Sequence, residues 1–359
     1  MKMRTSPTGA FLLLLCAVSV QADDSTSVRD AMRQEAVALA PLVQSDVAKA
    51  FLGAVPDLPA VATRRVYYNK MTRDALVPAA AETLSAEARA AYEARDLDET
   101  FYYTTRYGTP LAFVRPLDLL GQAGLAKIDG IRIADFGFGS IGQLRLLASL
   151  GATAIGIDVD KMLRALYREP ADVGAVARAA SAGSDAPGRI ELLFGQYPAE
   201  ADVVTRLGSG LDAFVSKNTL KRGYIHPAQE VDPRMLVHLG VDDATFVRAV
   251  HTALKPGGYF LIYNLYPAQP ADRYIPWADG QTPFTRELLE EVGFTVLAYD
   301  VDDTGPARAM GAALGLGRAD EPGDGPVRHL HAGAQVEVAR AADHSFGLNG
   351  ITSTLPPCT

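Results

Sequence analysis

Apolar positions along the chain fall into two periods. Over 28–52, Val28, Met32, Leu39, Leu42, Val43, Val47 and Phe51 recur at helical spacing, and Pro41 is placed to kink or divide that helix. Gly53, Pro56 and Pro59 mark 53–59 as a linker. An aromatic-basic patch follows (Arg64, Arg65, Tyr67, Tyr68, Lys70), then a second helix over 85–95, capped at Ser85. From residue 131 the pattern changes. Short β-branched or apolar runs over 131–136, 153–157, 190–194, 211–216, 259–264 and 294–299 predict strands. Helical patterns lie between them, at Leu144, Leu146, Leu147 and Leu150, from Asp160 to Arg168, over 242–254 and over 285–292. The Ala- and Gly-rich stretch 171–188 reads as helix, then loop. A weaker alternation over 334–339 predicts a last strand, paired antiparallel. Strands alternating with helices imply a doubly wound, mostly parallel α/β sheet covered on both faces.

The chain is organised around Ile131 to Gly142. A β-branched run there meets Asp135, then glycines at alternate positions, then the helix pattern. Glycine is needed where a backbone turns sharply and must approach a ligand without a Cβ in the way. The helix that follows aims its N-terminal amides beyond the strand end. Gly137, Gly139 and Gly142, with Asp158 about twenty residues on, fit the dinucleotide-binding pattern. They also resemble the acidic-x-Gly-x-Gly loop of class I S-adenosylmethionine-dependent methyltransferases. Two features favour the second resemblance: Asp135 stands two residues before the first glycine, and Leu254-Lys255-Pro256-Gly257-Gly258-Tyr259-Phe260 resembles that family's turn before strand five. The run from Thr285 to Phe294 resembles its late helix and strand. The resemblance covers roughly 102–302. It implies a seven-stranded methyltransferase-like Rossmann sheet, which the N-terminal pattern precedes with a helical cap.

On this reading 1–22 is a signal peptide, 23–110 the cap, and 111–342 the S-adenosylmethionine-binding domain. That domain carries an insertion over 303–333 with a helix over 307–314, and 343–359 is a tail. Lys2 and Arg4, the apolar run from Ala10 to Val20, and Val20-Gln21-Ala22 before Asp23 and Asp24 form the export signal. The run is too short to span a bilayer comfortably. Export places the chain in the periplasm or outside the cell. Removal of 1–22 takes Cys16 and leaves Cys358 alone, so no intrachain disulfide is expected. A net charge of −8 with no long basic run argues against nucleic acid as a partner.

Ligands of an open parallel sheet bind beyond the carboxyl ends of its strands, where strand order reverses. The resemblance then implies that Gly137 and Gly139 line the cofactor and that Asp135 orders the loop or accepts from the methionine ammonium. Asp158 would accept from both ribose hydroxyls, or else merely cap the helix near Asp160. Gln196 stands where the family usually has an acid toward the adenine; a glutamine oxygen can accept the same hydrogen bond. Ser216, Lys217 and Asn218 follow strand four, where the family places cofactor backbone contacts and often catalytic groups; Lys217 is unusual there, or else merely a solvated side chain. Asn264 and Tyr266 follow strand five, on the substrate side. Tyr103, Arg106 and Tyr107 precede strand one and could touch the methionine carboxylate or the substrate, or pack the cap on the domain. His226, beside Tyr224 and Pro227, is the best-placed general base. His329 and His331 alternate but lack a third metal ligand, so no metal is expected. The implied activity is methyl transfer from S-adenosylmethionine to a small molecule or protein side chain. The rivals are an NAD-dependent oxidoreductase and a non-catalytic exported module on the same fold.

Overall fold

The computed structural model describes residues 27–105, 108–182, 186–315 and 333–342. The candidate export signal, Arg106, Tyr107, His329, His331, Cys358 and most of the 303–333 insertion lie outside them. No helix among the described residues is long and apolar enough to cross a membrane.

The N-terminal pattern forms two helices, Val28–Leu39 and Asp46–Gly53, divided at Pro41. The hydroxyls of Ser27 and Ser45 cap them by accepting from Asp30 N and Ala48 N. The cap is not purely helical, however. Strands β1 (Arg64–Asn69), β2 (Asp74–Leu76) and β3 (Glu93–Leu97) form a three-stranded antiparallel sheet in the order β2-β1-β3. The helix expected over 85–95 stops at Arg89, and its second half is β3. Cross-strand pairing outweighs local helix propensity there: Arg95 stacks over Tyr68 with 4.4 Å to the ring centre, and Leu97 is buried.

The main sheet uses β4 (Arg132–Phe136), β5 (Thr153–Asp158), β6 (Gly174–Val176), β7 (Gly188–Phe194), β8 (Leu211–Lys217), β9 (Leu254–Tyr266), β10 (Phe294–Asp302) and β11 (Gly333–Ala341). Its order is β10-β11-β9-β8-β4-β5-β7-β6. From β9 to β7 all pairs are parallel. The weakly alternating run is β11, which inserts antiparallel between β9 and β10. The expected seven strands are therefore present, with an eighth, β6, added antiparallel at the edge of β7. β6 lies where helix and loop were expected. β9 starts at Leu254, so the Lys255-Pro256-Gly257-Gly258 turn becomes a register shift against β8 between Leu211 and Ala213.

Each face of the sheet buries one apolar core. Phe214, Phe246, Phe260 and Phe284 centre one, under helices Asp243–Ala253 and Arg286–Val292. The other joins Ile133, Leu144 and Leu261 to Met32, Phe51 and Tyr102, so the N-terminal region packs on that face as part of its core. Buried polar groups fix the docking. Asp118 accepts from Gln44 N at 2.9 Å and Ser45 N at 2.7 Å. Asp172, fully buried, accepts from both Arg64 terminal nitrogens at 2.6 and 2.9 Å and from the Tyr102 hydroxyl at 2.7 Å. Such charges are tolerated inside because their lone pairs are filled.

Candidate functional site

Strand order reverses between β4 and β8, and the crevice beyond their carboxyl ends is the expected ligand site of such a sheet. β4 ends at Asp135-Phe136, and the chain turns through Gly137 and Gly139 into helix Gly142–Ser149. Gly137 and Gly139 have φ of 76° and 62°, a region that side chains with a Cβ rarely adopt. Space also requires glycine. A Cβ on Gly137 would overlap the Thr219 side chain, and one on Gly139 would lie 3.3 Å from the Thr105 methyl. The loop is therefore held between the segment before β4 and the turn after β8.

Asp135 is 2% exposed, and its Oδ2 accepts from Gln143 Nε2 at 3.0 Å. Gln143 also donates to Phe138 O, which ties the helix start to the glycine turn. Burial pushes the Asp135 carboxyl up to about 7, against the pull of Gln143 and Lys217. Asp158 ends β5. Its Oδ2 accepts from Gly139 N at 3.4 Å and its Oδ1 from Asp160 N at 2.9 Å. Burial raises it as well, with the backbone bonds acting the other way. The helix-capping group at Lys161–Leu166 is Asp160, through Met162 N. Gln196 follows β7; its amide nitrogen donates to His238 O at 2.6 Å, which leaves the side-chain oxygen as an acceptor.

Asp135, Gly137, Gly139 and Asp158 thus come together at the ends of adjacent strands. Other expected residues among the described ones each have a partner of their own. Tyr103 is fully buried, and its hydroxyl donates to Pro59 O at 2.6 Å, so this side chain locks the cap and has no free hydroxyl for catalysis. Ser216 is fully buried, and its oxygen accepts from Leu220 N at 3.2 Å, which pins the turn after β8. Asn264 is 1% exposed, with Nδ2 donating to Leu220 O and Gly280 O. It braces two loops. His226 is exposed and bonded to Asp243 at 2.7 Å, in a groove lined by 237–244 and Leu288. It pairs with the start of the helix before β9, not with the glycine loop. Tyr266 is half-buried; its hydroxyl accepts from Gln335 at 3.3 Å, and its ring packs where Gly280 and Gly333 leave room.

Asn218, expected here from its place after strand four, and Thr219 and Lys221, which no motif singled out, also line the turn after β8. Asn218 adopts φ 67°, and its side chain accepts from Leu265 N at 2.7 Å, folding Thr219 back onto Gly137. Lys221 is 4% exposed, and its ammonium donates to Leu265 O at 2.6 Å and Trp277 O at 3.3 Å. Burial pushes it down to about 7, and Lys217 adds to that. The only sequence signal for these residues was their place after a strand.

No family description matches the sequence, and no curated protein does. Solved structures do. Phosphoethanolamine N-methyltransferase 2 of Haemonchus contortus is 17% identical over 64% of this chain, at a TM-score of 0.35, and the match spans 52% of that protein. An S-adenosylmethionine-dependent methyltransferase of Mesorhizobium loti is 18% identical over 64% of this chain and 97% of its own, at 0.34. Magnesium protoporphyrin IX methyltransferase of Synechocystis is 13% identical over 64% of this chain and 78% of its own, at 0.32.

Proposed function

We propose that this chain binds S-adenosylmethionine beyond β4 and β5 and transfers its methyl group to a small molecule or a protein side chain. The observation that carries the reading is the convergence of Asp135, the Cβ-free turn at Gly137 and Gly139, and Asp158 on one crevice. These groups suit that cofactor: a carboxylate at the end of β5 for ribose hydroxyls, bare backbone for close approach, and Asp135 as an acceptor for an ammonium. The Gln196 oxygen suits an adenine amino group. When bound, the cofactor supplies a methyl group activated by sulfonium charge. The chain's own work is to position, with Thr219 and Thr105 against the glycine turn and Tyr266 walling the side beyond β9.

The sheet also speaks against a nicotinamide enzyme. Dinucleotide-binding sheets run 3-2-1-4-5-6 from two parallel halves. Here β11 enters antiparallel between β9 and β10. We place the activity in an exported chain, on the basic start and short apolar run of 1–22.

Incubation with methyl-labelled S-adenosylmethionine and a small-molecule cell extract tests the activity. Label should move to an extract component. Label that stays on a bound cofactor, with extract and with a protein mixture alike, would mark a binding module instead.

A further inference from the structure

Lys217 is the last residue of β8. β8 and β4 pair at Val215 and Asp135, so Lys217 stands two residues past that pair, in the crevice and level with the glycine turn. It is half-buried, and among the described residues its ammonium makes no hydrogen bond and no ion pair. Asp135 is the charged group that acts on it, and Lys217 in turn acts on Lys221. Asp135 already accepts from Gln143, and the Lys221 ammonium is committed to two backbone carbonyls. Lys217 therefore gives up part of its hydration without a partner in return, an arrangement that costs free energy unless something completes it. What fits the open position is an acceptor of hydrogen bonds bearing negative charge.

Building on the methyl-transfer reading, we propose that Lys217 anchors an oxyanion group, a carboxylate or a phosphate, on the methyl acceptor. The acceptor class is thus an anionic small molecule or an acidic side chain. Lys217 is a specificity residue, and it acts by pairing charge with charge.

The test uses the full chain saturated with S-adenosylhomocysteine and titrated with benzoate, phenyl phosphate and benzamide, read by ligand-observed NMR. Wild type should bind one of the two anions about tenfold tighter than the uncharged amide, and which anion wins separates carboxylate from phosphate. Lys217→Met should abolish the preference, leave S-adenosylhomocysteine affinity unchanged and melt no lower than wild type. Lys217→Arg should keep the preference, and it stands as the second variant should methionine disturb folding. Equal or absent binding of all three probes, or a preference that survives in Lys217→Met, overturns the proposal. So does a Lys217→Met loss of affinity for S-adenosylhomocysteine but not for 5′-methylthioadenosine, which lacks the amino-acid carboxylate, because the lysine would then hold the cofactor. If wild type does not bind S-adenosylhomocysteine at all, the methyl-transfer reading is what fails, and the anion preference is decided by the same titrations without it.

Discussion

Asp158 and Gly139 face each other across the β4–β5 pair, the carboxylate Oδ2 accepting from the glycine amide at 3.4 Å. That is long for an N–H···O bond. The oxygen is aimed at the crevice and held loosely, so hydroxyl donors of a ribose can take it over at small cost. Asp158→Ala should weaken S-adenosylhomocysteine binding by about 1.5–3 kcal/mol, the range for hydrogen bonds to a charged acceptor. The fold should persist, because the side chain stands at a strand end. Titration of both proteins checks this, and equal affinity would remove Asp158 from the site.

Gly137→Ala should damage the same site by a different route. Its φ of 76° strains any side chain, and the new methyl would overlap Thr219. The strain alone is worth about 1–3 kcal/mol. Urea unfolding should show that loss, and cofactor affinity should fall with it, since relief requires the turn or the Asn218–Thr219 segment to move. Unchanged affinity with lowered stability would mean the turn does not touch the ligand.

The N-terminal region should unfold together with the sheet. Asp172→Ala leaves the Arg64 guanidinium and the Tyr102 hydroxyl without their buried acceptor. Removing one partner of a buried pair typically costs about 3–5 kcal/mol. Calorimetry should record one transition at lower temperature. Two separate transitions, with the second at the wild-type temperature, would show that the cap is an independent unit.

Much of the sheet was legible in the sequence because its strands are β-branched runs bounded by turns, and the glycines and Asp158 were legible from their spacing. The cap sheet was hidden. In Arg64-Arg65-Val66-Tyr67-Tyr68-Asn69 only Val66 and Asn69 are buried, and the remaining faces are filled by arginine–tyrosine stacking, which leaves little apolar alternation to read. For Tyr103 the sequence left ligand contact and cap packing open, because periodicity says nothing of where a tyrosine hydroxyl finds its acceptor; here it is Pro59, distant in sequence, and the side chain packs the cap. Thr219 and Lys221 were overlooked because their positions follow from the turn that Asn218 and Ser216 pin, which no spacing rule encodes.

Stability should fall as pH rises from about 5 to 7. Glu337, buried in β11 between β9 and β10, is pushed by burial from 4.5 up to about 8, with Thr282 acting the other way. Asp135 is pushed from 3.8 up to about 7. Between their unfolded and folded values the native chain holds protons that the unfolded chain has released, so unfolding becomes easier with each rise in pH. Lys221, pushed down from 10.5 to about 7, acts in the opposite direction but only above that pH. Glu337→Gln carries no titrating proton and should reduce the loss between pH 5 and 7 by on the order of 1–3 kcal/mol. Urea midpoints at the two pH values measure it, and an identical slope in the mutant would contradict it.

The central claim is that the crevice beyond β4 and β5 is built for S-adenosylmethionine. Isothermal titration of the full chain with S-adenosylhomocysteine and, separately, with NAD tests it most directly. The account predicts saturable binding of S-adenosylhomocysteine at one site per chain and none of NAD. Binding of NAD alone, or of neither ligand by a chain that melts cooperatively, would contradict it.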